Sequence, residues 1–136
     1  MATPLETLAL SIKQAQDRQH RALDTALAAA DISLVQWHAL REIERNPGCS
    51  QRQLSMLTFN SVQALGTLLA RMSKSGLIES EASGGRAITH TLTAAGTARL
   101  EQGRAIVNAA YAQLFAGLEQ GERDELQRLL GKVLAG

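Results

Sequence analysis

The stretch Asn60-Ser61-Val62-Gln63-Ala64-Leu65-Gly66-Thr67-Leu68-Leu69-Ala70-Arg71-Met72-Ser73-Lys74-Ser75 carries two patterns at once. At about 100° per residue, Val62, Leu65, Leu68, Leu69 and Met72 gather on one side. Asn60, Gln63, Ala64, Thr67, Arg71 and Lys74 recur on the other at i, i+3, i+4, i+7, i+11 and i+14. The spacing predicts a helix over 60–75 with one core side and one unbroken polar, small-featured side. Asn60 with Gln63 three positions on reads as a capping pair that opens it. Gly76, suited to the left-handed C-terminal position, closes it.

Working outward, the same capping signature marks three earlier starts: Thr3-Pro4-Leu5-Glu6, Ser33-Leu34-Val35-Gln36 and Ser50-Gln51-Arg52-Gln53. Pro4 is expected at the first helical position, where its missing donor costs nothing. Stops at Asp31-Ile32 and Asn46-Pro47-Gly48 then delimit helices near 4–30, 33–46 and 50–57. Beyond Gly76, Leu77–Glu81 and Ala87–Leu92 alternate with period two around Ser83-Gly84-Gly85-Arg86, which predicts a hairpin with a Gly-Gly tip. Helical spacing returns from Thr93 to Leu118 and, after a break at Gly121, from Leu126 to Leu134.

The order helix, helix, short helix, tight turn, helix, hairpin is that of a winged helix-turn-helix, whose second HTH helix enters a DNA major groove. The predicted fold is therefore mainly α with a small β-hairpin wing, flanked by N- and C-terminal dimerisation helices. A single domain over 1–136 divides into a reading lobe at about 31–93 and dimerisation helices at about 4–30 and 94–135.

Composition agrees. A chain of 136 residues and 14.6 kDa suffices for one core. Its 22 alanines and 21 leucines against 10 valines and isoleucines favour helix over sheet. No apolar run approaches the ~20 residues of a bilayer span, and Glu6 stands where a secretory leader carries Lys or Arg. A soluble, cytoplasmic protein with no membrane partner is expected. The lone Cys49 closes no intramolecular disulfide and builds no zinc site. No metal, no cofactor and no catalytic residue is expected: the three histidines fall on different elements, with no Asp or Ser spaced to complete a triad.

With 14 basic and 13 acidic residues no global field marks a nucleic-acid binder, so binding must come from local placement. Gln and Asn bond adenine bidentately, Thr and Ala touch a thymine methyl, and cations suit phosphates. The expected double-stranded DNA contacts are Ser50, Gln51, Arg52, Asn60, Ser61, Gln63, Ala64, Thr67, Arg71, Lys74 and Arg86. In the first helix, Leu5, Leu8, Ile12, Ala15, Ala22, Ala26 and Ala29 follow a three-four spacing that Leu23 and Leu27 broaden. A second copy of the chain is the partner expected to cover that stripe.

Three stretches resemble the MarR family of transcriptional regulators: Leu34-Val35-Gln36-Trp37-His38-Ala39-Leu40, Asn46 through Leu54, and Leu69-Ala70-Arg71-Met72-Ser73-Lys74-Ser75-Gly76-Leu77-Ile78 running on to Arg86-Ala87 and Thr91-Leu92-Thr93-Ala94-Ala95-Gly96. The resemblance implies a homodimer whose winged lobes read the halves of a near-palindromic operator, most commonly as a repressor. It also implies a small ligand, often phenolic, between the dimer interface and the reading lobe. His20 and Tyr111 lie on helices that would border such a cleft. Trp37 shares a stripe with Leu40 and Ile43, as core or as a pocket wall. His38, Arg41 and Arg45 form a row that receives an anionic effector or faces water. The ligand candidates are thus His20, Trp37, His38, Arg41 and Tyr111.

Two departures from the family pattern stand out. The wing keeps Arg86 but has Gly84-Gly85 where relatives usually carry an acidic residue two positions before the Arg. Gly66-Thr67 replaces a Thr-Arg pair in the reading helix, and Gly66 costs about 0.5–1 kcal/mol of helix stability relative to Ala. A winged-helix dimer serving protein interaction, with weak DNA binding, tolerates both departures. Cys49 precedes the third helix's cap, where a helix dipole lowers a thiol pKa and favours oxidation.

Overall fold

The computed structural model describes residues 2–83 and 87–136. Helix α1 (Leu5–Leu27) continues into a 3-10 turn (Ala28–Ala30) and is followed by α2 (Leu34–Arg45), α3 (Gln51–Leu57) and α4 (Val62–Lys74). Strands β1 (Ile78–Ser83) and β2 (Ala87–Leu92) pair antiparallel, with Ile78 opposite Leu92 and Ser80 opposite His90. Helices α5 (Ala94–Leu114) and α6 (Gln120–Ala135) complete the chain. This is the mainly helical winged helix-turn-helix architecture that the patterning predicts.

The caps show why the elements start where they do. Ser33 accepts from the Gln36 amide while Gln36 accepts from the Ser33 amide, and Ser50 and Gln53 repeat the reciprocal pair. Asp24 Oδ1 also accepts from Leu34 N at 2.8 Å, fastening α1 to the start of α2. Thr93 Oγ1 accepts from Gly96 N and donates to Gly76 O at 2.6 Å, joining the end of the wing to its beginning.

Three expected boundaries move. Pro4, not Thr3, is the cap of α1, and no side chain bonds the free amides there. The cap of α4 is Ser61, whose side chain accepts from Ala64 N at 3.0 Å, so the helix opens one residue later than Asn60. Gly121 lies inside the first turn of α6; the break falls earlier, between Leu114 and Gln120. Gly76 does take the left-handed backbone, at φ +79°.

The core is one cluster of buried residues from α1 through β1 and from α5, with Leu92 of β2 packed against it and Leu23, Leu27, Leu40, Leu54, Leu65, Met72, Ile78 and Leu100 at its centre; α6 buries none. Trp37 is its keystone: the ring is buried and Nε1 donates to Leu100 O at 3.1 Å, binding α2 to α5. Gly103 permits that approach, and Gly96 permits the approach of α5 to the start of the wing. A Cβ at Gly96 would overlap the Leu77 carbonyl, and one at Gly103 would press on the Trp37 ring.

Candidate nucleic-acid interface

Helix α4 is held by Leu65, Leu69 and Met72, all buried, while its other side faces solvent. Against that side lies the start of α3. Gln51, Val62, Gln63, Gly66, Thr67, Ala70, Arg71 and Lys74 line a shallow open groove of about 650 Å³. The floor narrows at Gly66, where a Cβ would stand 2.9 Å from Gln51 Nε2. The helix cost of that glycine thus coincides with the place where the α3 amide lies across α4.

The groove gathers Gln51, Gln63, Thr67, Arg71 and Lys74 of the expected set. Thr67 Oγ1 donates back to Gln63 O at 3.3 Å. Ala64 is exposed on the same helix, and Ser61 serves it as cap. Ser50 caps α3 as an acceptor, which leaves its hydroxyl hydrogen free to donate, and Arg52 is exposed beside it. Among the described residues, no carboxylate pairs with Arg52, Arg71 or Lys74. Arg71 and Lys74 occupy the last turn of α4, where cations also complement the helix dipole.

Asn60 behaves differently from its sequence reading. Its Nδ2 donates to Thr58 O and Oγ1 at 3.3 and 3.1 Å, so the amide is folded back onto the α3–α4 turn. Val62, placed by periodicity in the core stripe, is 48% exposed and lines the groove. Its position in the first turn, ahead of the stripe's first full repeat, is the signal that periodicity overlooks. Arg86, the expected wing contact, lies outside the described residues.

The ligand candidates divide. Trp37 takes the core reading. The Arg41 guanidinium stands 5.3 Å over its ring, and the His38 ring packs at 5.7 Å. Arg41 and Arg45 both approach the buried Glu42 carboxylate, at 3.1 and 3.8 Å, so their row is partly engaged by protein rather than simply solvated. Burial, then the Arg41 charge and His20, push the His38 imidazole down to about 4. Trp37, His38 and Arg41 therefore form one constellation, with the His20 charge felt at His38. Tyr111 stacks instead on Phe115, at 6.3 Å. Cys49 is the reverse of an activated thiol: burial and the nearby Glu42 charge push it up, outweighing its backbone hydrogen bond.

Comparison with known proteins meets this geometry. A family model described as MarR family matches residues 30–87, the span from the end of the 3-10 turn to the start of β2. The HTH-type transcriptional repressor Rv2887 of Mycobacterium tuberculosis is 31% identical over 113 residues, covering 82% of this chain and 81% of that protein. The Rv2887 crystal structure with salicylic acid superimposes at a TM-score of 0.77, with 28% identity over 97% of both chains. A cysteine-to-serine mutant of MarR from E. coli, complexed with operator DNA, superimposes at 0.86 with 26% identity over 94% of both chains. With the helix order, the wing and the freestanding α4 face all in place, the chain belongs to the MarR family of winged helix-turn-helix transcriptional regulators.

Proposed function

We propose that this protein is a homodimeric, sequence-specific DNA-binding repressor, acting in the cytoplasm on a near-palindromic operator and released by a small aromatic acid. The observation that carries the reading is the exposed α3–α4 groove, in which Gln51, Gln63 and Thr67 offer base-reading groups while Arg71 and Lys74 stand without carboxylate partners among the described residues. Gln51 and Gln63 address bases, Ala64 and Thr67 thymine methyls, and Ser50, Arg52, Ser61, Arg71 and Lys74 the backbone. Arg86 is assigned to the minor groove or a phosphate. The operator-DNA complex of MarR from E. coli supports DNA as the partner.

The dimer rests on apolar surface at both ends of the chain. Leu5 is 81% and Leu134 83% exposed, with Leu8, Ile12, Leu126, Leu129 and Val133 also open. At about 25 cal/mol per Å², covering several hundred Å² of such surface outweighs modest ordering costs. No described helix is long and apolar enough to cross a membrane. For the effector, the Arg41 cation and the His38 ring beside Trp37, with His20 close by, offer charge, hydrogen bonds and aromatic surface to an aromatic carboxylate. The salicylic acid complex of Rv2887 supports that class of ligand.

Fluorescence anisotropy on the DNA upstream of the protein's own gene, across several salt concentrations, tests the reading. With about four phosphates per lobe, a dimer should give a slope near −7 in log K against log salt. Arg71→Ala should flatten it by about 2, and Gln63→Ala should cost about 1–3 kcal/mol of discrimination at one base pair. Weak binding with a flat salt dependence would return the protein to the interaction-module reading.

A further inference from the structure

Val62 is the first residue of α4 after the Ser61 cap, and it is 48% exposed where Leu65, Leu69 and Met72 of the same helix are covered. Burial therefore does not account for it. Nor does helix propensity, since a β-branched side chain loses rotamer freedom in a helix. What distinguishes the position is its surroundings. Val62 lines the same groove as Gln51 and Gln63, and Gly66 admits the Gln51 amide to within 2.9 Å of where a Cβ would stand. With Asn60 turned back onto Thr58, the leading end of α4 presents an apolar group flanked by two amides.

The leading end of the second HTH helix is the part that reaches base edges. On the major-groove edge of an A·T pair, adenine offers N6 and N7 to a bidentate amide, and thymine offers a 5-methyl group to an apolar contact. An apolar side chain and an amide in one groove complement both halves of that edge. Resting on the DNA-binding reading above, we propose that Val62 is a specificity residue that packs on a thymine 5-methyl group, with the Gln51 amide addressing adenine beside it.

The test starts from duplexes that the wild-type protein selects from a random pool. Each thymine is then replaced by 2′-deoxyuridine, symmetrically in both half-sites, which deletes only the methyl. At one position the wild type should lose about fourfold per half-site, or roughly fifteenfold for the dimer. Val62→Ser, whose melting should match the wild type because the position is exposed, should bind thymine and deoxyuridine duplexes equally there. Sensitivity at other thymines, served by Ala64 and Thr67, should persist. An even deoxyuridine profile in the wild type, or an unchanged profile in Val62→Ser, overturns the role of Val62. So does a Val62→Ser protein that melts normally yet binds no duplex, because one methyl contact is worth only that factor. If the wild type selects no duplex, the DNA-binding reading itself falls.

Discussion

Replacing Gly103 by alanine tests how the reading lobe is locked to the rest of the chain. A Cβ there would stand 2.6 Å from Trp37 Nε1, closer still to Cδ1, and 3.2 Å from Leu27 Cδ2. Such contacts settle near 3.5–4.0 Å, so the indole must shift by roughly an ångström. It has little freedom to do so. Nε1 is tied to Leu100 O at 3.1 Å on the same helix that carries the new methyl, and Arg41 stands 5.3 Å over the ring. Helix propensity favours the substitution by about 1 kcal/mol. Overpacking opposes it by about 1–3 kcal/mol, and a broken buried hydrogen bond by about 1–3 more. The net expectation is a loss of about 1–5 kcal/mol, centred near 3, read by urea unfolding followed by circular dichroism at one fixed protein concentration. Trp37→Phe removes both the N–H and the larger ring. In that background Gly103→Ala should therefore cost less, by about 1–2 kcal/mol of coupling. A Gly103→Ala protein as stable as the wild type, or two substitutions that simply add, would refute the reasoning.

Other positions give sharper local tests. Phe59 holds φ +59° and is 96% exposed, so Phe59→Asn relieves a left-handed backbone without uncovering buried surface; stability should rise by about 0.5–1 kcal/mol, and a lower melting temperature would show a contact that the fold does not display. His38 is held near 4 by burial, Arg41 and His20, against about 6.5 in the unfolded chain. Between those values the unfolded state binds more protons, so stability should fall as pH drops from 6.5 toward 4. His38→Gln should flatten that stretch of a melting-temperature profile, leaving the part due to His90, whose burial also lowers it. On the open face of α6, Leu129→Glu with Val133→Glu should shift sedimentation to the monomer and weaken self-association at least tenfold, and an unchanged dimer would place the interface elsewhere.

What could be read from the sequence followed the strength of the local signal. Ser33-Gln36 and Ser50-Gln53 form the expected reciprocal caps because each depends only on residues three apart. Thr3 makes no such cap: the residue after it is Pro4, which itself takes the cap position with an extended ψ of 141°. Asn60 and Ser61 are both competent caps, and only the turn decides between them, since Thr58 claims the asparagine amide. Periodicity placed Leu65, Leu69 and Met72 correctly but swept Val62 in with them, because a repeat cannot say where its covering surface ends. The fit of Gly103 beneath Trp37 joins residues 66 positions apart in the chain and has no local signature.

That distant fit bears on how the two working ends of the molecule communicate. Helix α5 touches the start of the wing through Gly96 and Leu77, α2 through Leu100 and Trp37, and α1 through Gly103 and Leu27, before reaching Tyr111 and Phe115. Gly96 and Gly103 admit no side chain at their contacts, and closely packed surfaces of that kind shift as bodies rather than bend. On the proposed effector reading, a change in how α2 meets α5 would reach the wing, α3 and α4 through the core they share. The proposed effector groups stand on that joint: Arg41 over Trp37, His38 against its ring, and His20 near enough to His38 to depress its proton affinity. A carboxylate bound there would draw Arg41 from Glu42 and raise the proton affinity of His38, loading new charge contacts onto the aromatic ring that is hydrogen-bonded to α5. In a twofold dimer, groove spacing tolerates little rotation of each lobe. On this reading the burial of Trp37, which removes it as the wall of an open pocket, makes it the lever through which a ligand beside it is felt at α4.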